Sequence, residues 1–174
     1  KNTDEFKILC VSANYPHKNL SIIPKVITEL LKIGLTNFKF YVSVQKNSLV
    51  SNTEADNYIE YLGLIKLEHL PKIYENIDAV FIPTLLEVFS ATYLEAMYMR
   101  KPMVCSDMGF ARDICSEAAL YFDPLNAKDA ALKIISLIED NSIKNKLIKE
   151  GIINLKRFGN SRSRTNEFIN IITN

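Results

Sequence analysis

Short apolar runs alternate with amphipathic stretches along this chain. The runs Phe6–Ser12, Phe38–Val44, Tyr58–Leu62, Ala79–Ile82, Met103–Cys105 and Leu120–Phe122 predict strands. Several are continuously apolar, as strands covered on both faces are. Between them, helical patterns fall at about 20–33, 67–76, 91–100 and 126–139, and two more follow near 142–157 and 161–172. Asn126, just after Asp123-Pro124, is placed to cap the helix that opens at Ala127. The polar stretch Gln45–Asp56 reads as a long loop.

Strands alternating with helices predict a parallel sheet covered on both sides: one three-layer, Rossmann-like α/β domain of about six strands in the order 3-2-1-4-5-6. The 174 residues suffice for one such domain, 1–174, and not for two. In open parallel sheets ligands bind beyond the carboxyl ends of the strands. That directs attention to Ala13–Asn19, Gln45–Asn47, Gly63–Ile65, Pro83–Thr92 and Ser106–Arg112.

Composition narrows the function classes. A net charge of +1 gives no broad field for nucleic acid. No run approaches the roughly 18 apolar residues of a membrane helix. Cys10, Cys105 and Cys115 are odd in number and have no close spacing, so they read as reduced core residues of a cytoplasmic protein and not as a disulfide set or zinc site. No Asp/His cluster has metal spacing. The five glycines form no GxGxxG, which excludes a phosphate-wrapping loop of that kind. The chain opens on a polar stub without Met, and the expectation is a fragment cut in an interdomain linker.

The segment Pro83-Thr-Leu-Leu-Glu-Val-Phe-Ser-Ala-Thr-Tyr-Leu-Glu-Ala-Met97 carries the most chemistry. A buried strand leads into a loop holding Glu87, and a helix begins near Ser90, with Glu95 in its first turn or so. Free N–H groups at such a helix start seat a phosphate. Carboxylates on either side would repel that phosphate but accept hydrogen bonds from hydroxyls, and a nucleotide sugar has hydroxyls on both sides of its diphosphate. Two plainer readings stand beside this one. Thr92-Tyr-Leu-Glu95 fits a capping box, and Glu87 fits a solvated loop acid.

Glu87 and Glu95, with seven residues between them, sit among further words: Lys18 after the first strand, Tyr61-Leu-Gly63, Ile77-Asp-Ala-Val-Phe-Ile-Pro83, Lys101-Pro-Met-Val-Cys-Ser-Asp107 and Asp123-Pro124. Together they resemble the C-terminal domain of group 1 (family 4) retaining glycosyltransferases of the GT-B fold. That resemblance implies a nucleotide-diphosphate sugar as donor, no cofactor or metal, and a saccharide or lipid-linked acceptor held by an N-terminal domain absent from this chain. It implies that Glu95 binds the ribose, that Glu87 binds the donor sugar, and that the backbone at Phe89, Ser90, Ala91 and Thr92 holds sugar and diphosphate. Lys18 corresponds to the lysine that neutralises the diphosphate, and Leu64 and Ile65 to the base-binding loop.

The chain also departs from the family. Ser12-Ala13 stands where Gly-Arg is common, so the phosphate-pairing arginine is missing and Lys18 acts alone or with His17. Glu87-Val-Phe-Ser90 replaces Glu-Gly-Phe-Gly, so a hydroxyl lies beside the donor. Gln45 ends the second strand where glycine is usual, and is a further candidate donor contact. His17 also fits a plain turn residue, and His69 reads as structural. The basic tail, Lys156, Arg157, Arg162 and Arg164, leaves peripheral contact with anionic lipid at the inner face of the membrane open beside an ordinary solvated face. Two rival functions share the architecture: a non-catalytic nucleotide-sugar-binding module, and another enzyme such as a sugar-nucleotide epimerase or a phosphorylase.

Overall fold

The computed structural model describes residues 5–46, 48–49 and 53–159. Six strands, β1 (Phe6–Cys10), β2 (Phe38–Val42), β3 (Ile59–Tyr61), β4 (Ala79–Ile82), β5 (Met103–Ser106) and β6 (Ala119–Phe122), form one parallel sheet in the order β3-β2-β1-β4-β5-β6. The order reverses between β1 and β4, where Ile8 faces Ala79 and Leu9 faces Val80. That is the position at which parallel sheets open a crevice beyond their carboxyl ends.

Strand alternation divides the core into two layers. On one side Ile8, Cys10, Phe40, Val42, Phe81, Val104 and Phe122 meet α1 (Ile23–Lys32) and α6 (Ala127–Glu139). There Phe81 stacks on Phe122 with ring centroids 5.2 Å apart. The other side joins Leu9, Val80, Ile82, Met103 and Cys105 to Tyr74 of α3 (Leu70–Glu75), Tyr93 of α4 (Ala91–Tyr98) and Cys115 of α5 (Gly109–Cys115). Every residue of β4 and β5 is buried, which explains the unbroken apolar sequence of β4 and of Met103–Cys105 in β5.

The helices follow from their stripes and ends. In α1 the buried set Ile23, Val26, Ile27 and Leu30 recurs at helical spacing. Each such side chain contributes roughly 1.5–3 kcal/mol by leaving water. Asn126 caps α6, its side-chain oxygen accepting from the Asp129 N–H at 3.0 Å. Asp140 caps α7 (Asn141–Leu155) by accepting from Ser142 and Ile143.

Two expectations change. A helix between β5 and β6, α5, has no counterpart in the sequence reading. The stretch read as a loop holds a short helix, α2 (Thr53–Asp56), while residues 47 and 50–52 lie outside the described residues. The expected helix at 161–172, with Arg162 and Arg164, lies outside them too. The three cysteines are buried and free, and Cys115 ends a helix. No helix among the described residues is long and apolar enough to cross a membrane.

Candidate functional site

A cavity of about 390 Å³ opens beyond the carboxyl ends of β1 and β4. Its lining combines the polar groups of Ser12, Lys18, Ser43, Thr84, Ser90 and Thr92 with the apolar side chains of Leu64, Ile65, Leu67 and Leu70. A ligand with both a charged and an apolar part matches this lining.

Lys18 is brought here by a tight local structure. Pro16–Lys18 makes a single 3₁₀ turn, and Asn19 follows in the left-handed region at φ 53°, which asparagine tolerates better than most residues. The Asn19 amide donates to the Pro124 carbonyl at 2.9 Å. The Leu85 N–H donates to the His17 carbonyl at 2.8 Å, so the loop after β1 is tied to the loop after β4. Across this tie the Lys18 ammonium pairs with the Glu87 carboxylate, which joins two of the three charged residues singled out from the sequence.

Helix α4 begins at Ala91, with Ser90 extended before it (φ −117°, ψ 125°) and making no side-chain cap bond. Thr92 is therefore the second helical residue and Glu95 the fifth, and the spacing of a capping box is not realised. Instead one Glu95 carboxylate oxygen accepts from the Tyr74 hydroxyl at 3.1 Å. Thr92 and Leu70, one turn before Glu95 and Tyr74 respectively, both line the cavity.

The other candidates divide. Leu64 and Ile65 reach the cavity because Gly63, at φ 66°, turns the chain sharply after β3. Ser90 and Thr92 line it as well. Phe89 is half-exposed, with its ring tilted against Phe158 at 6.4 Å, and Ala91 is exposed. Gln45, Glu87, Phe89, Ala91 and Glu95 are not among the lining residues; Gln45 is exposed, and its carbonyl accepts from the Ser48 N–H. The expectation for His69 also changes, since it is an exposed residue beside Glu68 and not part of the core. His17 stacks on Tyr15 in the turn.

Two contributors carry no local sequence signal. The Ser43 hydroxyl accepts from the Ser12 N–H at 2.7 Å and donates to the Ser12 carbonyl at 3.0 Å, fixing the start of the loop after β1. Tyr74 reaches Glu95 from a different helix. Cys10 lines the cavity, but burial pushes its thiol up to about 12 against the opposing effect of Lys18, so it stays neutral. Among the described residues no group of three or more His, Cys, Asp or Glu is arranged to hold a metal ion.

Known proteins share this sequence and fold. The chain is 28% identical over 110 residues to the O-antigen chain mannosyltransferase B of Escherichia coli, covering 63% of this chain and 29% of that protein. It is 26% identical over 145 residues to the O-antigen chain mannosyltransferase RfbU of Salmonella typhimurium strain LT2, covering 80% and 41%. It thus spans less than half the length of these relatives. Sucrose-phosphate synthase from Thermosynechococcus elongatus has the same fold, with a TM-score of 0.79 at 17% identity over 99% of this chain and 46% of that one. Residues 1–153 match the model of the family described as Glycosyl transferases group 1, and the chain belongs to that family.

Proposed function

We propose that this chain binds a nucleotide-diphosphate sugar, and that the longer protein it represents transfers the sugar, with retention, to a saccharide or lipid-linked acceptor held by a second domain. The observation that carries the reading is the ion pair of Glu87 with Lys18, which lines a cavity whose lining also holds Leu64 and Ile65. Lys18 and the free N–H groups opening α4 supply positive charge for a diphosphate without a metal or cofactor. Leu64 and Ile65 offer the apolar wall to the base. We assign Glu87, beside the lysine, to hydroxyls of the sugar and Glu95 to those of the ribose.

In such a transfer the nucleoside diphosphate leaves with its electron pair while positive charge builds at the anomeric carbon. Lys18 and the helix start would stabilise the charge on the departing diphosphate, which is where preorganised dipoles act most strongly. Glu87 pairs with Lys18 and Glu95 accepts from Tyr74, so neither is an obvious covalent nucleophile. Front-face attack assisted by the leaving phosphate, which the family resemblance implies, is the mechanism proposed.

The two relatives named as mannosyltransferases make mannose the donor sugar to try first. Calorimetric titration with UDP-, GDP- and ADP-linked sugars tests the proposal directly. Binding of one series, and tighter binding of its diphosphate than of its nucleoside, is expected. Absence of binding by every series would end it. Assay of sugar transfer by the longer protein separates an enzyme from a non-catalytic binding module, and epimerised donor in place of transferred sugar would mark an epimerase.

A further inference from the structure

We infer that Tyr74 is the positioning residue for Glu95, holding one carboxylate oxygen so that the other is presented to the ribose of the bound nucleotide. This rests on the reading of Glu95 as the ribose ligand and adds the group that aims it.

A glutamate on a helix has three rotatable bonds, and left to itself it samples many orientations at an entropic cost to any ligand that needs one of them. Here that freedom is restricted. Tyr74 is 1% exposed and packs in the layer of Leu9, Val80 and Tyr93, so its ring cannot swing away. Its hydroxyl donates to one Glu95 oxygen at 3.1 Å, across 21 positions of sequence and between two helices. Among the described residues Glu95 makes no other side-chain hydrogen bond or ion pair, so its second oxygen is left for a ligand.

The geometry links this pair to the cavity. Leu70 stands four residues before Tyr74 on α3, and Thr92 three before Glu95 on α4; residues at these spacings lie on one helix face. Leu70 and Thr92 both line the cavity. Tyr74 and Glu95 do not themselves line the cavity; their bond lies one turn along each helix from residues that do. Burial, and then the neighbouring Glu95 charge, push the phenol of Tyr74 well above its ordinary range, so it remains a proton donor at all working pH values.

The test compares ribose and dideoxyribose forms of one nucleotide. Affinities for UDP, GDP and ADP are measured on the wild-type chain, and the tightest is taken forward with its 2′,3′-dideoxy counterpart. Wild type should prefer the ribose form. Tyr74→Phe should weaken the ribose form roughly three- to ten-fold, the net worth of one ordinary hydrogen bond, and leave the dideoxy form unchanged. Adding Tyr74→Phe to Glu95→Gln should cost little more than Glu95→Gln alone, because the two act through one contact. Equal losses for both nucleotide forms, or no loss for either, would mean that Tyr74 only supports packing, and would overturn the inference while leaving the role of Glu95 intact. A wild-type chain indifferent to the ribose hydroxyls would remove that role and the inference with it. Tyr74→Leu, read by the same ratio of affinities, serves if the phenylalanine variant does not fold.

Discussion

Lys18 and Glu87, sixty-nine positions apart in sequence, form an ion pair at the cavity with their side chains only 17% and 18% exposed. Each is the other's counterion. On the proposed reading, a diphosphate beside Lys18 would compete with Glu87 for the ammonium, and a sugar hydroxyl would share the carboxylate.

Glu87→Gln should therefore have opposite effects on two ligands. It releases Lys18, so a nucleoside diphosphate should bind as tightly as before or several-fold tighter. It also removes a charged acceptor, so the matching nucleotide sugar should lose about 1.5–3 kcal/mol of binding. Calorimetry on both ligands checks this, and equal losses would contradict the assignment of Glu87 to the sugar.

Lys18→Ala should weaken diphosphate binding far more than nucleoside binding. Part of that loss should fade at high salt, because the pair retains some contact with solvent. The substitution also strands a partly buried carboxylate, so a fall in thermal stability of about 1 kcal/mol is expected after allowing for solvent screening. Diphosphate affinity unchanged across a salt series would show that Lys18 serves Glu87 alone.

The cap of α7 predicts a pH dependence. Hydrogen bonds from Ser142 and Ile143 hold the Asp140 carboxyl below its ordinary value. A depressed folded pKa contributes stability above the unfolded value, about 3.9 for aspartate, and loses it as pH falls through the folded value. Asp140→Ala should accordingly melt at a lower temperature than wild type at pH 7. Below about pH 3.9 the two melting curves should converge. A gap that stayed constant to the lowest pH at which both fold would assign the cap's effect to something other than charge.

Strands β4 and β5 were legible because they are buried along their whole length, which leaves short apolar runs in the sequence. Helix α5 was not, since it is seven residues long, opens on glycine and is held by the packing of Ala111, Ile114 and Cys115. The spacing Thr92-x-x-Glu95 is ambiguous by construction: it gives a capping box only if the helix starts after Thr92, and the extended backbone at Ser90 starts it earlier. The meeting of Lys18 and Glu87 was expected as a shared cleft, yet their direct pairing depends on the bond from Leu85 to the His17 carbonyl. Nothing local marks Tyr74 as a neighbour of Glu95, because their contact depends on how α3 and α4 pack.

The last prediction concerns what these 174 residues do by themselves. They should bind the matching nucleoside diphosphate weakly and transfer no sugar. Lys18, the opening of α4, Leu64, Ile65 and Glu95 all belong to this chain, so the contacts proposed for the diphosphate, base and ribose are present. Transfer needs more, because donor and acceptor must be held together in a reactive geometry. Of the residues that line the cavity, Leu64 is 96% exposed and Leu67 80%. Apolar groups so fully open to water do not enclose a ligand or exclude solvent from a departing diphosphate. The proposed second domain would supply both the cover and the acceptor site. An assay of this chain beside the longer protein, with one matched donor and acceptor, checks the reading. Turnover by the chain alone at a rate near that of the longer protein would show that the catalytic site is complete within these residues, and the two-domain proposal would then fail.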